Sequence, residues 1–278
     1  MSRNSETTKV VILARGLGTR MRKPDESARL PATQSAVADI GLKAMIPMAT
    51  QTGRPFLDYL LSSLADAGFT NACIVIGPEH GAVRDRYERE QVPTRMRVTF
   101  AIQETALGTA NAVLSAEDFV EGDSFAVLNS DNFYPSEALD ALHEMVQPAI
   151  IGFDREVLVK RGNVPPGRIA RFGALDVDAE GYLRRILVSP TDEMLQSGKP
   201  IYSSMNCFLF TKEIFRACRD VPLSARGEYE LPQAVHLAID RGEMRFRVVR
   251  VSEPVLDMSS RGDIARVSEY LERVDVRL

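Results

Sequence analysis

The sequence predicts an α/β fold: a doubly wound, mostly parallel sheet with helices on both faces. Two observations lead to this fold class. Short apolar runs rich in Val and Ile, typical of buried parallel strands, alternate with segments whose apolar residues recur at helical spacing. Glycines stand where one kind of segment passes into the other, as at Gly16, Gly18 and Gly68. This β-α-β-α order requires crossover connections, which place consecutive strands parallel.

The first half of the chain contains the clearest elements. The run 10–14 predicts the first strand, and the apolar spacing of residues 55–67 predicts a helix that ends before Gly68. The other predicted elements of this half are strands at 72–77, 97–103 and 125–129 and helices at 84–90 and 110–116. Since ligands of such sheets bind beyond the carboxyl ends of the strands, the loop after residue 14 and Asn129-Ser130-Asp131 are expected to share one site.

The second half is less regular. Gly, Pro, Lys160 and Arg161 are concentrated in residues 157–167, which predicts a mobile loop. Strands are predicted at 172–177, 183–188 and 207–210, with a turn at 178–181, and helices at 235–239 and 264–274. Ser259 or Ser260 is expected to cap the last helix. No break in composition divides the chain, which predicts a single domain over residues 1–278.

Composition excludes several kinds of partner. The 278 residues carry a formal net charge of −4, so general attraction to nucleic acid is not expected. No apolar run is long enough to cross a bilayer, which predicts that no membrane is bound. The three cysteines lack metal-ligand spacing and are expected to be reduced, as in a cytoplasmic protein. The sequence does not determine the oligomeric state, and a homo-oligomer stays open.

The loop after the first strand is the first chemical signal. Gly16-Leu17-Gly18 is followed by Thr19 and Arg20, an arrangement typical of a loop whose backbone N–H groups face an anion. Met21 stands where a dinucleotide fingerprint needs its third glycine, and the Gly-Lys-Ser/Thr of a P-loop is absent. Both nucleotide motifs fail, and the segment by itself favours a plain strand-to-helix turn.

Further segments follow this loop in a characteristic order. They are Lys43-Ala44-Met45-Ile46-Pro47, then Gln103 with Leu107-Gly108-Thr109-Ala110, then Leu128-Asn129-Ser130-Asp131-Asn132. Together with the loop they resemble the sugar-1-phosphate nucleotidyltransferases. Residues 172–181 resemble the sugar-contacting strand pair of that family, and residues 224–231 resemble a segment of its glucose-1-phosphate thymidylyltransferase branch. The resemblance extends from about Val10 to the C-terminal helix.

The resemblance implies an enzyme that joins a nucleoside triphosphate to a sugar 1-phosphate, glucose 1-phosphate foremost, and releases pyrophosphate. It implies a Rossmann-like sheet in a nucleotide-binding half, about residues 1–150. A smaller β-rich sugar-binding region and the C-terminal helix would occupy about residues 151–278. It also implies Mg²⁺, which is bound by carboxylate and phosphate oxygens. The base is left open: residues 224–231 favour dTTP, whereas residues 107–110 also resemble guanylyl and uridylyl enzymes.

The resemblance also assigns roles to individual residues. Arg20 would neutralise the departing β,γ-phosphates, Lys43 would reach the α-phosphate region, and Asp131 would hold Mg²⁺ together with Asp257. Positioning and electrostatic stabilisation of this kind suffice for phosphoryl-type transfer. Glycines 108 and 173 are expected to leave room for the base and for the sugar ring. The implied binding residues are Leu13, Ala14, Gly16, Gly18, Thr19, Gln103, Gly108 and Thr109 for the nucleotide, and Gly173 and Glu228 for the sugar.

Three departures from the family pattern are visible. Arg15 stands where small residues are usual, and residues 24–41 form an additional segment that predicts a lid or a surface insertion. The usual Glu-Lys-Pro element is replaced by Leu187-Val188-Ser189-Pro190, so its sugar-phosphate lysine is absent. We hypothesise that one of four cations supplies the missing charge: Lys160, Arg168, Arg171 or Arg185.

Two alternatives stay open at this point. A nucleotide-sugar-binding or regulatory homologue without turnover is favoured by the missing lysine and by the loose match around Asp257. A glycosyltransferase of similar architecture would need an Asp-x-Asp at a strand end, where Asn129-Ser130-Asp131 offers one carboxylate. Release of pyrophosphate distinguishes the nucleotidyltransferase from both.

Overall fold

A mixed sheet runs through both halves of the chain. The computed structural model describes residues 6–48 and 53–278, and in that part nine strands form one sheet and two short strands another. The domain predicted over residues 1–278 thus includes residues 1–5 and 49–52, which lie outside the described residues. The strands are β1 Lys9–Leu13, β2 Asn71–Ile76, β3 Arg97–Ile102, β4 Phe125–Asn129, β5 Asn132–Phe133, β6 Ala149–Asp154, β7 Ala174–Val177, β8 Leu183–Leu187, β9 Tyr202–Phe210, β10 Arg247–Val251 and β11 Leu256–Asp257.

Helices cover both faces of this sheet. Alternate residues of β1 show this: Ile12 packs in the cluster that contains Leu60, whereas Val11 packs in the cluster that contains Val113. The helices are α1 Thr19–Arg22, α2 Ala32–Ile40, α3 Phe56–Asp66, α4 Gly81–Asp85, α5 Thr109–Leu114, α6 Glu117–Val120, α7 Ser136–Glu144, α8 Arg155–Lys160, α9 Pro166–Ile169, α10 Asp192–Gln196, α11 Ile214–Asp220, α12 Leu231–Asp240 and α13 Arg261–Leu271. A 3-10 turn spans Lys43–Met45 and a π turn spans Arg86–Glu90.

The order of the main sheet is β10-β6-β9-β4-β1-β2-β3. β1 is parallel to β2 and β4, β2 is parallel to β3, and β6 is parallel to β10. β9 lies antiparallel between β4 and β6, so these two strands also end at one edge of the sheet. The β7–β8 hairpin pairs with β9. The predicted mostly parallel, doubly wound sheet is therefore confirmed.

A small second sheet brings the C-terminal segment to that edge. β11 pairs antiparallel with β5, and Asp257 stands opposite Asn132. The backbone N–H of Met258 also donates to the backbone oxygen of Asp131 at 2.9 Å. The candidate carboxylates at 131 and 257 are thereby neighbours, although they lie far apart in the sequence.

Helix ends follow the residue types in the sequence. After α3, Gly68 adopts a φ of +99° and Phe69 N–H donates to the Leu64 oxygen at 3.0 Å, which closes the helix as predicted. Of the two predicted caps for α13, Ser260 is the one used: it forms a capping box with Asp263. Among the described residues, no helix is both long and apolar enough to cross a bilayer.

The structure corrects the predicted loop at 157–167 and shows what the additional segment 24–41 contains. Residues 157–167 are not a free loop, because α8 and α9 occupy most of this segment. The segment 24–41 contains α2, whose Gln34 amide donates to Pro47 O at 2.7 Å and to Ser268 Oγ in α13 at 3.3 Å. Arg261 of α13 also pairs with Asp39 of α2. Most of α2 is exposed and the helix packs on α13, so of the two predicted alternatives the surface insertion fits and the lid does not.

Candidate active site

A cleft opens at the edge of the sheet where β1 and β4 end. Its cavity volume is about 230 Å³. Its lining consists of Leu13, Ala14, Arg15, Gly16, Leu17, Gly41, Leu42, Lys43, Ala44, Gln103, Ala106, Gly108, Thr109, Ala112, Asn129, Ser130, Asp131, Asn206 and Glu228. The predicted site residues outside this lining are Gly18, Thr19, Arg20, Gly173 and Asp257. Most of the residues predicted to bind the nucleotide therefore meet in one place.

The glycine loop offers free backbone donors to this cleft. In the described part of the chain, the N–H groups of Gly16, Leu17 and Gly18 form no backbone hydrogen bond. Nothing lies within 4 Å of where a Cβ on Gly16 would be, so this residue faces open space. Ala14 lines the cleft, but its N–H already donates to Val75 O at 2.9 Å and is not a free donor. An anion would therefore meet the loop from residue 16 onward.

A positively charged side chain, Arg20, stands at the end of the glycine loop. Thr19 and Arg20 open α1, and both side chains are exposed. Within the described ranges, Arg20 forms no ion pair with a carboxylate, unlike Lys43. The structure thus leaves Arg20 at the exit of the loop with its charge available, close to the cleft but outside its lining.

Lys43 and Asp131 face each other across the cleft. The Nζ of Lys43 lies 2.7 Å from Oδ2 of Asp131, and the two side chains are 15% and 25% exposed. The 3-10 turn after α2 positions the lysine, and the carboxyl end of β4 positions the aspartate. A partly exposed pair of this kind can exchange its internal contact for contacts with a charged ligand.

Asp257 is buried behind Asp131. It accepts hydrogen bonds from Ser259 Oγ at 2.8 Å and from Asn132 Nδ2 at 3.3 Å, and Nε of Arg168 lies 3.3 Å from its Oδ2. Burial, and then repulsion by Asp131, raise the pKa of the Asp257 carboxyl to about 6. Two carboxylates that repel each other at one corner are an arrangement suited to a shared cation.

The segment between β6 and β7 holds Asp257 in place. The side-chain amide of Asn163 pairs with the backbone of Asp257 as a neighbouring strand would. Its Nδ2 donates to Asp257 O at 2.7 Å, and its Oδ1 accepts from Asp257 N–H at 2.8 Å. Arg168 of α9 binds both oxygens of Asp263 at 2.8 and 2.9 Å. These bonds fix the segment that the sequence predicted to be mobile.

The other wall of the cleft is formed by Gln103 and the start of α5. The Gln103 amide nitrogen donates to Gly108 O at 3.0 Å and to Asn111 Oδ1 at 2.8 Å. The expected reason for Gly108 is wrong: a Cβ there would lie 2.6 Å from Tyr229 O, so this glycine makes room for backbone rather than for a base. Thr109 Oγ1 accepts from the N–H of Leu231, which opens α12.

The two amino acids predicted to bind the sugar, Gly173 and Glu228, have different surroundings. Glu228 is exposed and lines the cleft. The expected reason for Gly173 is wrong, because a Cβ there would lie 2.4 Å from Cγ2 of Ile186. This glycine allows β7 to pack closely against β8. Of the two, Glu228 is the one that can touch a ligand in the cleft.

Sequence reasoning missed Asn206, which lines the cleft in the middle of β9. It has a φ of +51°, unusual for a residue with a side chain, and its Nδ2 donates to Asn129 Oδ1 at 3.3 Å. A strained residue beside a cleft often serves function. The sequence around Asn206 contains no pattern that predicts this positive φ value.

The four cations proposed for the missing lysine have different partners. Lys160 pairs with Glu156 at 2.6 Å, and Arg185 pairs with Asp240. Arg168 is held by Asp257 and Asp263, as described above. In the described residues, Arg171 has no carboxylate partner, and it is exposed just before Gly173. Arg171 therefore has the most available charge of the four.

Comparison with known proteins identifies the class. Residues 9–258 match the family model described as nucleotidyl transferase. The chain therefore belongs to the nucleotidyl transferase family. This confirms the resemblance to the sugar-1-phosphate nucleotidyltransferases and the prediction of an enzyme of that class.

Two curated relatives and two solved structures illustrate the similarity. The UTP–glucose-1-phosphate uridylyltransferase AglF of Haloferax volcanii is 27% identical over 237 residues, 84% of this chain and 84% of that protein. A glucose-1-phosphate thymidylyltransferase of Streptomyces antibioticus is 27% identical over 237 residues, 84% of this chain but 58% of that protein. A UDP-glucose pyrophosphorylase complexed with UDP-glucose has a TM-score of 0.69 at 16% identity, covering 96% of this chain and 99% of that one. UTP-bound UGPase from Acinetobacter baumannii has a TM-score of 0.70 at 18% identity, covering 97% and 95%. The two structures confirm the Rossmann-like fold.

Proposed function

We propose that this protein transfers a nucleotidyl group from a nucleoside triphosphate to a sugar 1-phosphate, glucose 1-phosphate foremost. The observation that carries the proposal is the cleft in which the free N–H groups of the glycine loop, Lys43 and Asp131 converge, with Asp257 behind them. The relatives named for UTP or for thymidylyl transfer to glucose 1-phosphate support the same substrate pair.

The proposed reaction is one in-line displacement. A phosphate oxygen of the sugar 1-phosphate forms a bond to the α-phosphorus, the bond from that phosphorus to the β-phosphate oxygen breaks, and pyrophosphate leaves. Loop N–H groups at residues 16–18 would hold the triphosphate, and Arg20 would neutralise the leaving pyrophosphate. Lys43 would stabilise charge at the α-phosphate. The chain supplies positioning and charge, and no covalent nucleophile is needed.

Asp131 and Asp257 are proposed to hold Mg²⁺. Their chemistry fits: both supply carboxylate oxygens, and a bound divalent cation would relieve their mutual repulsion. When bound, the ion would neutralise phosphate charge as the α-phosphorus is attacked. Among the described residues, no group of three His, Cys, Asp or Glu side chains is placed to bind a metal, so phosphate oxygens and water would supply the other ligands.

Pyrophosphate release tests the proposal. Five nucleoside triphosphates (UTP, dTTP, GTP, ATP and CTP) are combined with a panel of hexose 1-phosphates, with Mg²⁺ or with EDTA. We expect release that requires both substrates and the metal, together with formation of the nucleotide sugar. Asp131→Asn should lose most of this activity. Release without a sugar phosphate, or full activity of Asp131→Asn, would contradict the proposed chemistry.

A second candidate is a nucleotide-sugar-binding homologue without turnover. The observation that favours it is Leu187-Val188-Ser189-Pro190, which stands where the family places its sugar-phosphate lysine. Tight binding of a nucleotide sugar with no pyrophosphate released from any substrate pair would support this candidate instead.

A further inference from the structure

Arg15 belongs to the glycine loop by sequence but contacts the opposite wall of the cleft. Its Nε donates to the backbone oxygen of Gln103 at 3.2 Å, and its Nη1 lies 2.7 Å from Oε1 of Glu79. The side chain is only 10% exposed and lines the cleft. Its charge is therefore placed beside Gln103, whereas the free N–H groups of the loop begin at Gly16.

The structure is built to accommodate this guanidinium. A Cβ on Gly77, which follows β2, would lie 2.4 Å from Nε of Arg15, so a residue with a side chain there would displace it. Glu79 in the same loop supplies the opposite charge. Three segments thus meet at Arg15: the glycine loop, the loop after β2 and the end of β3.

Gln103, the neighbour of Arg15, can offer only one kind of hydrogen bond to a ligand. Its amide nitrogen carries two protons, and both have acceptors: Gly108 O and Asn111 Oδ1. The backbone acceptor at Gly108 fixes the orientation of the amide, because a carbonyl oxygen requires a donor. The remaining polar atom, Oε1, is an acceptor.

Arg15 retains an unsatisfied donor. In the part of the chain that the structure describes, Nε donates to Gln103 O and Nη1 lies beside the Glu79 carboxylate, whereas Nη2 is neither buried nor hydrogen-bonded. A guanidinium N–H that the protein leaves free can donate to a ligand in the cleft, and its charge strengthens that hydrogen bond. Arg15 and Gln103 are joined by a hydrogen bond and both line the cleft, so its wall offers a donor on one residue and an acceptor on its neighbour.

We propose that Arg15 determines which base is accepted, by donating to a carbonyl oxygen of a base whose adjacent ring N–H donates to Gln103. Uracil, thymine and guanine present this carbonyl and N–H pair. Adenine and cytosine present an amino group beside an unprotonated ring nitrogen, so their donor and acceptor are reversed with respect to the pair in the protein. This inference rests on the proposed function insofar as it requires a nucleotide in the cleft.

The test compares equilibrium binding of UTP, dTTP, GTP, ATP, CTP and inorganic tripolyphosphate. We expect the unmodified protein to bind the first three nucleotides about 10-fold more tightly than ATP and CTP, the effect of one charge-assisted hydrogen bond. Arg15→Ala should lose this preference while its affinity for tripolyphosphate is unchanged. Arg219→Ala, which removes a surface arginine paired with Glu117, is the matched control and should keep the preference.

Each other outcome is decisive. Equal loss of affinity for all nucleotides and for tripolyphosphate in Arg15→Ala would overturn the proposal, since Arg15 would then serve the phosphates or the fold. A preference of the unmodified protein for ATP or CTP would overturn it as well. If Arg15→Ala does not fold, Arg15→Met decides: it keeps a long apolar side chain but has no N–H donor, so unchanged selectivity would refute the proposal. Selective binding without pyrophosphate release would refute the proposed function and leave this inference standing.

Discussion

Gly18 and Gly41 are in backbone contact: a Cβ on Gly18 would lie 2.3 Å from the carbonyl oxygen of Gly41. Both residues have positive φ values, +60° and +75°. Gly41 ends α2, the helix in the segment that the family pattern does not lead one to expect. The added segment therefore fixes the glycine loop from outside, because the loop and the end of α2 approach more closely than side chains would allow.

Gly18→Ala should damage the loop more than Gly16→Ala. At position 18 the new methyl group meets the backbone of Gly41 in a conformation unfavourable for alanine, which should lower the free energy of unfolding by about 1–3 kcal/mol. The Michaelis constant for the nucleoside triphosphate should rise as well. Gly16 has nothing within 4 Å of its Cβ position, so Gly16→Ala should keep its stability. Urea unfolding of both variants measures this, and equal losses would contradict the contact.

Asp257→Asn should separate stability from activity. Burial and Asp131 disfavour the charged carboxylate of Asp257, whose pKa is raised to about 6. At pH 8 a neutral asparagine removes this penalty, so the free energy of unfolding should hold or rise, by up to about 3 kcal/mol. The substitution also removes the carboxylate that pairs with Arg168, which limits the gain in the free energy of unfolding. Metal-dependent pyrophosphate release should fall steeply. A variant that is both active and less stable would argue against a metal-binding role.

Arg171→Ala should raise the Michaelis constant for the sugar 1-phosphate about 10-fold, the effect of losing one charged contact. The physical reason is availability, since in the described residues Arg171 is the cation of the four without a carboxylate partner. Lys160→Ala and Arg185→Ala, whose charges are already paired on the surface, are the controls and should change it little. The three variants are compared by steady-state kinetics at saturating nucleotide. If none of the three variants changes the Michaelis constant for the sugar 1-phosphate, other residues neutralise the charge of its phosphate.

The parallel core of the fold could be predicted because its strands are continuous apolar runs. β1, β2 and β4 were predicted to within two residues, as was α3 with its terminal glycine. β6 was missed, because Gly152 and Asp154 weaken its apolar pattern, and α2 was missed because its nine residues bury little more than Gln34 and Ala38. Local pattern identifies strands whose apolar run is unbroken, and it overlooks a buried strand interrupted by glycine and a helix that packs through one narrow contact.

In the candidate site, too, some features could be predicted from the sequence and others could not. Lys43, Gln103 and Asp131 were recognisable because they stand in motif order along the chain. The support of Asp257 by Asn163 was not, because it joins segments far apart in sequence through a side-chain amide. Gly108 was predicted for the wrong reason, since the backbone of Tyr229 approaches it only in the folded chain. Motifs locate residues that face the ligand, whereas tertiary contacts decide what holds them there.

Stability at mildly acidic pH should depend on His236. Its Nε2 accepts the backbone N–H of Ile186 at 2.9 Å, so the folded protein requires the neutral ring. Burial, and then the charge of Arg185, lower the pKa of His236 below the ordinary value of 6.5. Between the lowered pKa and 6.5 the unfolded chain binds more protons than the folded one. This contribution to stability is therefore complete above pH 6.5 and is lost as the pH falls.

His236→Gln isolates the contribution of the neutral histidine to stability, because the glutamine oxygen can accept a hydrogen bond from the same N–H but does not titrate. We expect the free energy of unfolding of the unmodified protein to fall more between pH 7.5 and pH 5 than that of the variant, measured in urea at each pH. Asp257, whose raised pKa acts in the opposite direction, is present in both proteins and cancels in the comparison. His80, lowered in pKa chiefly by burial, also remains in both, so the difference belongs to His236. Parallel pH dependences of the two proteins would show that the buried ring does not control the acid response.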